Sequence, residues 1–188
     1  LCSIVITITL NCSAFQFSNS VQVTSNLTFF LNGEKSYLPQ FQFKSDEAIF
    51  YTLVANPLTP TNLVHYFALP FDETFAFKML DDKNREVKKN ERGFANSKEP
   101  NLIKNRNDTR KLKPRPIGYE PYFLFRPDEM FMITNKGVYE LDVRIRICVP
   151  MTNGVPDTKA MTSLHGLLMS TNFNVVVSDP VRVRIIKE

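Results

Sequence analysis

The chain contains no tryptophan, two histidines, three cysteines and six glycines in 188 residues. Each shortage closes off a class of chemistry. With so few glycines there is no Gly-rich loop of the kind that cradles a phosphate or a dinucleotide. His65 and His165 form no His-x-x-x-His pair, and Ser163 beside His165 has no orienting acid in its context. Three cysteines are too few for a disulfide scaffold. No apolar run approaches the roughly 18 residues of a membrane-spanning helix. No cofactor motif occurs, no residue is marked as catalytic or metal-ligating, and the chain reads as a non-enzyme.

What is present is apolar and aromatic. Hydrophobic residues make up 43% of the chain and sixteen of them are Phe, enough for one packed core. Ile4 to Leu10 (IVITITL) is followed by Cys12-Ser13-Ala14, with small side chains three and one residues before Phe15. That pattern matches the hydrophobic stretch and cleavage site of a secretory signal peptide. It predicts residues 1–14 as a truncated signal, a single domain over 15–188, and a secreted or periplasmic location. The same run also suits a first β-strand. Cleavage would leave Cys148 as the sole cysteine, on the polar side of its strand and open to solvent.

The pattern is β along most of the chain. Val21, Val23, Leu27, Phe29 and Leu31 alternate up to Asn32-Gly33, a type I′ hairpin signal. Ala48 to Ala55 reads as a strand buried on both faces. Phe75, Phe77 and Met79 share one face of another strand. Tyr139, Leu141, Val143, Ile145, Ile147 and Val149 alternate with Glu140, Asp142, Arg144, Arg146 and Cys148, the mark of a strand with one face on a core. Met151 to Asp157 reads as loop. Asp157 caps one short amphipathic helix carrying Ala160, Met161, Leu164, Leu167 and Leu168, weakened by Gly166. Val181, Val183 and Ile185 point inward from a last strand.

Asn135-Lys136-Gly137-Val138-Tyr139-Glu140-Leu141 resembles the Asp-x-Gly-x-Tyr-x-Cys lead-in to strand F of immunoglobulin-like sandwiches. The resemblance implies a tyrosine corner, with the Tyr139 hydroxyl bonded back to upstream backbone, Gly137 taking the bend and Leu141 in the core where antibody domains place a cysteine. It implies an all-β, immunoglobulin-like antiparallel sandwich of the disulfide-free type found in bacterial secreted and surface proteins. There is also a likeness to immunoglobulin-like bacterial proteinase inhibitors, through the order turn, Glu, strand, Gly-x-Tyr.

Charge is uneven. Residues 83–116 hold twelve Lys or Arg and four acids, a net of +8 that leaves −4 for the rest of a chain totalling +4. Sparse apolar residues there predict a long mobile loop, either a solvated linker or a patch for an anionic glycan, envelope lipid or nucleic acid. Phe94 is its one aromatic, too few for base stacking, so nucleic acid is set aside. The second basic feature is a sheet face. Alternation sends Lys78, Arg144, Arg146, Arg182 and Arg184 outward, the immunoglobulin-like resemblance implies that their strands are adjacent, and these are the candidate binding residues. Four acidic doublets at turns (Asp46-Glu47, Asp72-Glu73, Asp81-Asp82, Asp128-Glu129) read as solvated turns without calcium-loop spacing. The expected function is a non-catalytic secreted binding or accessory module of the cell envelope that docks an anionic partner. The alternative is a protease-inhibitor-like module.

Overall fold

Unbroken alternation makes Gly137–Thr152 a single sixteen-residue strand, and the larger sheet is assembled along it. The computed structural model describes residues 17–24, 27–34, 41–55, 65–117 and 121–188. The predicted signal segment lies outside the described residues, as does the turn at Asn56-Pro57. In chain order the strands are β1 (Ser20–Thr24), β2 (Leu27–Gly33), β3 (Gln42–Lys44), β4 (Ile49–Ala55), β5 (His65–Ala68), β6 (Phe75–Leu80), β7 (Lys113–Pro116), β8 (Tyr122–Phe125), β9 (Gly137–Thr152), β10 (Val155–Pro156), β11 (Phe173–Val177) and β12 (Val181–Lys187). The helices are single turns or little more: α1 (Phe71–Thr74), α2 (Glu91–Ala95), α3 (Arg106–Thr109), α4 (Pro127–Met130), α5 (Thr158–Met161) and α6 (Leu164–Met169).

Two sheets face each other as a β-sandwich. One runs β1-β2-β4-β8, antiparallel throughout. The other is built on β9. Along one edge of β9 lie β12, opposite residues 137–143, and β11, opposite 146–150. Along the other edge lie β6, opposite 140–145, and β5, which touches at Phe67↔Cys148. β3 joins β12 in parallel and β7 joins β5 antiparallel. β11 and β12 are one line broken by Ser178-Asp179-Pro180, because proline cannot donate to a ladder. Ser178 bridges the break: its N–H donates to the Ile145 carbonyl (2.9 Å) and its Oγ accepts from the Ile145 N–H (3.1 Å).

The core between the sheets is rich in Phe, as the composition predicts. Phe29, Phe43, Phe75, Phe77, Phe125 and Phe131 are buried there with Tyr139, Leu141, Val143 and Ile145. Edge-to-face contacts at Phe77–Phe125 (4.8 Å) and Tyr51–Phe75 (5.0 Å) join the sheets, adding to the burial of large apolar area.

Four expectations are corrected. Asn32-Gly33 is no hairpin turn: both residues lie in β2, paired with Phe50 and Ile49, and Asn32 Nδ2 donates to Thr52 Oγ1 (3.1 Å) inside the sheet. The type I′ turn is at Asn153-Gly154, where φ is +51° and +79°, so 151–157 is a β9–β10 hairpin rather than loop. The single helix after Asp157 is two, broken at Thr162-Ser163, with Asp157 and Ser163 each capping one. Gly166 is there because α6 crosses α5 so closely that a Cβ would strike the Ala160 carbonyl.

Residues 83–116 are the fourth. They carry α2, α3 and β7 and are tied to the sandwich along their length. The Asn90 N–H donates to the Met130 carbonyl (3.0 Å) and Asn90 Nδ2 to the Glu129 carbonyl (2.8 Å). Gly93 lies flat against the Met130 carbonyl, where any Cβ would collide. Ile103 is buried in a second core cluster with Phe67, Leu69, Cys148, Leu167 and Phe173. The anchors are single residues separated by charged ones, so no periodicity announces them.

Candidate functional site

Along the outer face of β9 the charges on neighbouring strands alternate in sign. Asp142 stands between Lys78 on β6 and Arg182 on β12, and Glu140 stands opposite Arg184. Arg182 grips Asp142 at both ends, Nε 2.7 Å from Oδ1 and Nη2 3.0 Å from Oδ2. That hydrogen-bonded carboxylate raises Arg182 further above the ordinary arginine pKa. The Arg184 guanidinium lies 4.2 Å from the Phe17 ring centroid, a cation–π distance. Lys78 and Arg144 are exposed and form no ion pair among the described residues. The five candidate residues therefore do not form a free cationic patch.

Arg146 departs most from expectation. Alternation points it to solvent, yet it is buried, 6% exposed. Its Nη1 donates to the carbonyls of Lys98 (2.9 Å) and Glu73 (3.4 Å), and its Nη2 meets Glu99 Oε1 at 3.0 Å. Two residues on, Cys148 was expected at the surface and is fully buried. Burial pushes its thiol up to about 12, so it is no nucleophile at neutral pH. The physical reason is shared. The outer face of β9 is open at Arg144, but from Arg146 onward residues 97–103 and α6 cover it. The basic segment is itself part of the roof.

The structural trio is placed as the sequence suggests. The Tyr139 hydroxyl donates to the Asn135 carbonyl at 2.7 Å, and Leu141 has no exposure. Gly137 has φ +150°, a conformation that side-chain-bearing residues avoid.

The unneutralised charge lies elsewhere. In residues 104–115, Lys104, Arg106, Arg110, Lys111, Lys113 and Arg115 are all exposed and make no ion pair among the described residues. The one acid in the stretch, Asp108, is committed to its own capping box: Oδ2 accepts from the N–H groups of Lys104 and Asn105, while Asn105 Oδ1 accepts from Asp108 N–H. Elsewhere in the basic segment Arg85 is matched by Asp81, Arg92 by Glu129 and Lys98 by Asp72, while Lys83, Lys88 and Lys89 make no ion pair among the described residues. The Lys98 ammonium in turn holds the Asp72 carboxyl below its ordinary pKa.

Beside α3 lies a groove of about 340 Å³ with Leu69, Ile103 and Leu112 in its wall, Leu102 and Lys111 also lining it. Leu102 is 68% exposed. Two acids also line it, Asp108 and Glu73, and the Glu73 carboxylate accepts from the backbone N–H and side-chain amide of Asn101 (both 3.1 Å). A second cleft, about 460 Å³, lies at the tyrosine corner between residues 81–88 and 132–139, with acids and bases intermixed. His65 is half-buried at the start of β5 and His165 is exposed on α6. Among the described residues, no three His, Cys, Asp or Glu side chains gather as a metal site needs.

The sequence singled out the sheet face, where acids stand between the basic residues, and not residues 104–115. The Asn105-x-x-Asp108 spacing of a capping box was legible and shows that the one acid there makes no ion pair. No protein-family model, no curated protein and no solved structure matches this chain.

Proposed function

We propose that the chain is a non-catalytic binding module on an immunoglobulin-like sandwich, working outside the cell or in the periplasm, that docks an anionic partner. The strand pairings support the immunoglobulin-like reading. β2, β4 and β8 take the places of strands A, B and E, and β6, β9 and β12 those of C, F and G. β3 lies parallel to β12 as the second half of a split strand A lies beside G, and the Tyr139 back-bond occupies the corner before F.

The observation that carries the functional reading is the contrast between two sets of cations. On the sheet face, acids stand between the arginines. In residues 104–115 six exposed cations have no ion-pair partner among the described residues, and their only acid, Asp108, bonds to backbone N–H groups of its own turn, leaving a net charge of +5. Like charges held together this way repel one another and weaken the folded state, so a partner of opposite charge is the natural beneficiary. Binding to sulfated dextran and to vesicles of phosphatidylglycerol, measured across a salt series, tests this. Attachment that weakens steadily with salt is expected. No attachment to either at the lowest salt would remove the reading.

A further inference from the structure

We infer that the partner is an anionic lipid surface, met by the groove beside α3, with Leu102 as the residue that enters the lipid. This rests on the anionic-partner reading above and goes further by choosing the surface and the source of the charge.

Two properties of the site are paired. Leu102 is 68% exposed at the rim of a groove whose wall includes Leu69, Ile103 and Leu112. Lys111 lines the same groove, and Lys104, Arg106 and Arg110 lie within eight residues of Leu102 along the same short segment, all exposed. A sulfated glycan would use the cations and gain little from an exposed leucine. A bilayer of anionic lipid rewards both, the cations at the headgroups and the apolar side chain beneath them. Glu73 and Asp108 also line this groove, and Lys104, Arg106, Arg110 and Lys111 outnumber them. Glu73 is held by Asn101, and Asp108 by the start of its own helix turn. The segment is also positioned rather than free: Ile103 is sunk in the second core, and the Lys104 carbonyl accepts from the Phe173 N–H. Leu102 and the cations are thus presented by a fixed backbone.

The absence of tryptophan supplies the assay. Leu102→Trp creates a sole indole at an exposed position. With phosphatidylglycerol vesicles its emission should shift to the blue, and with phosphatidylcholine vesicles it should not. Replacing Lys104, Arg106, Arg110 and Lys111 by Gln should weaken co-sedimentation of the full chain with phosphatidylglycerol by roughly a hundredfold or more. Leu102→Ser should weaken it while leaving attachment to sulfated dextran unchanged. If the chain binds sulfated dextran but the tryptophan stays in water on phosphatidylglycerol, the lipid inference is overturned and the anionic-partner reading stands. Loss of vesicle binding on Lys78→Gln with Arg144→Gln, but not on the four Gln replacements, also overturns it. Failure to bind either material removes both readings together.

Discussion

Arg146 and Glu99 form an ion pair with unequal exposure: the arginine side chain is 7% exposed and the glutamate 87%, with Nη2 3.0 Å from Oε1. The glutamate is a surface group that contributes little, while the arginine is a pin. Its carbonyl partners at Lys98 and Glu73 hold residues 97–99 onto β9. Glu99→Gln keeps an oxygen that can accept from Nη2 and should lower Tm less than Arg146→Ala does. Arg146→Ala should cost about 2 kcal/mol, since it strands two carbonyls without burying any charge. Amide exchange in residues 97–103 should rise with the second variant and not with the first.

That pin marks where the sequence stops being legible. Alternation predicts every inward residue of β9 correctly, because period-two burial against one core is local information. It also puts Arg144, Arg146 and Cys148 on one face, which is right. It cannot say that a segment nearly fifty residues earlier returns to cover the last two. Asn-Gly shows the same limit. At 153–154 it makes the I′ turn its chemistry favours, whereas at 32–33 pairing with β4 and the Asn32–Thr52 bond override it. β11 leaves no period-two signal in the sequence, because Phe173 to Val177 lacks clean alternation. Val177 is 47% exposed, and Phe173 packs into the second cluster rather than the first.

The tyrosine corner makes a graded prediction. Tyr139→Phe keeps the ring and loses the bond to Asn135, so it should cost on the order of 1 kcal/mol. Leu141→Ala opens a cavity in the centre of the core and should cost about 2–5 kcal/mol. Urea unfolding would show both. No cost for Tyr139→Phe would mean the hydroxyl bond is not what matters at the corner.

Two glycines should fail for different reasons. Gly137 has open space where a Cβ would go but a φ of +150°, so Gly137→Ala should cost about 1–3 kcal/mol through backbone strain alone. At Gly93 the obstacle is the Met130 carbonyl and the Lys89 side chain, so Gly93→Ala should lift α2 off α4. Trypsin should then cut near Arg92 and Lys98, while Gly137→Ala stays resistant in that segment.

Cys148 links stability to alkaline pH. Its ordinary pKa of 9.0 is raised in the fold to about 12 by burial. Below pH 9 the thiol is neutral in both states and contributes no pH dependence. As pH rises from 9 towards 12 the unfolded chain loses the proton first, so stability falls by about 1.4 kcal/mol per pH unit. Cys148→Ala should flatten that slope at the expense of some packing. Iodoacetamide should label native protein at pH 8 only as fast as the chain opens.

Asp142 separates the sheet face from the groove as the anion-binding surface. It stands in one cross-strand row between Lys78 and Arg182, with side-chain exposures of 20% for Asp142 and 25% for Arg182. Replacing it with the isosteric Asn keeps the shape and removes the charge. Lys78 and Arg182 lie two strand spacings apart, roughly 10 Å, about one Debye length in physiological salt, so their direct repulsion is largely screened. The main loss is the bidentate pair, about 1–2 kcal/mol for a partly buried bond to a charged group. Combining Asp142→Asn with Arg182→Gln should cost less than the sum of the single changes, and the difference measures the coupling. The same variant bears on binding. A sheet face that docked anions would bind them more tightly once Asp142 lost its charge. With the docking surface at α3 and Leu102, phosphatidylglycerol affinity should stay where it was, and a clear gain would move the site to β9.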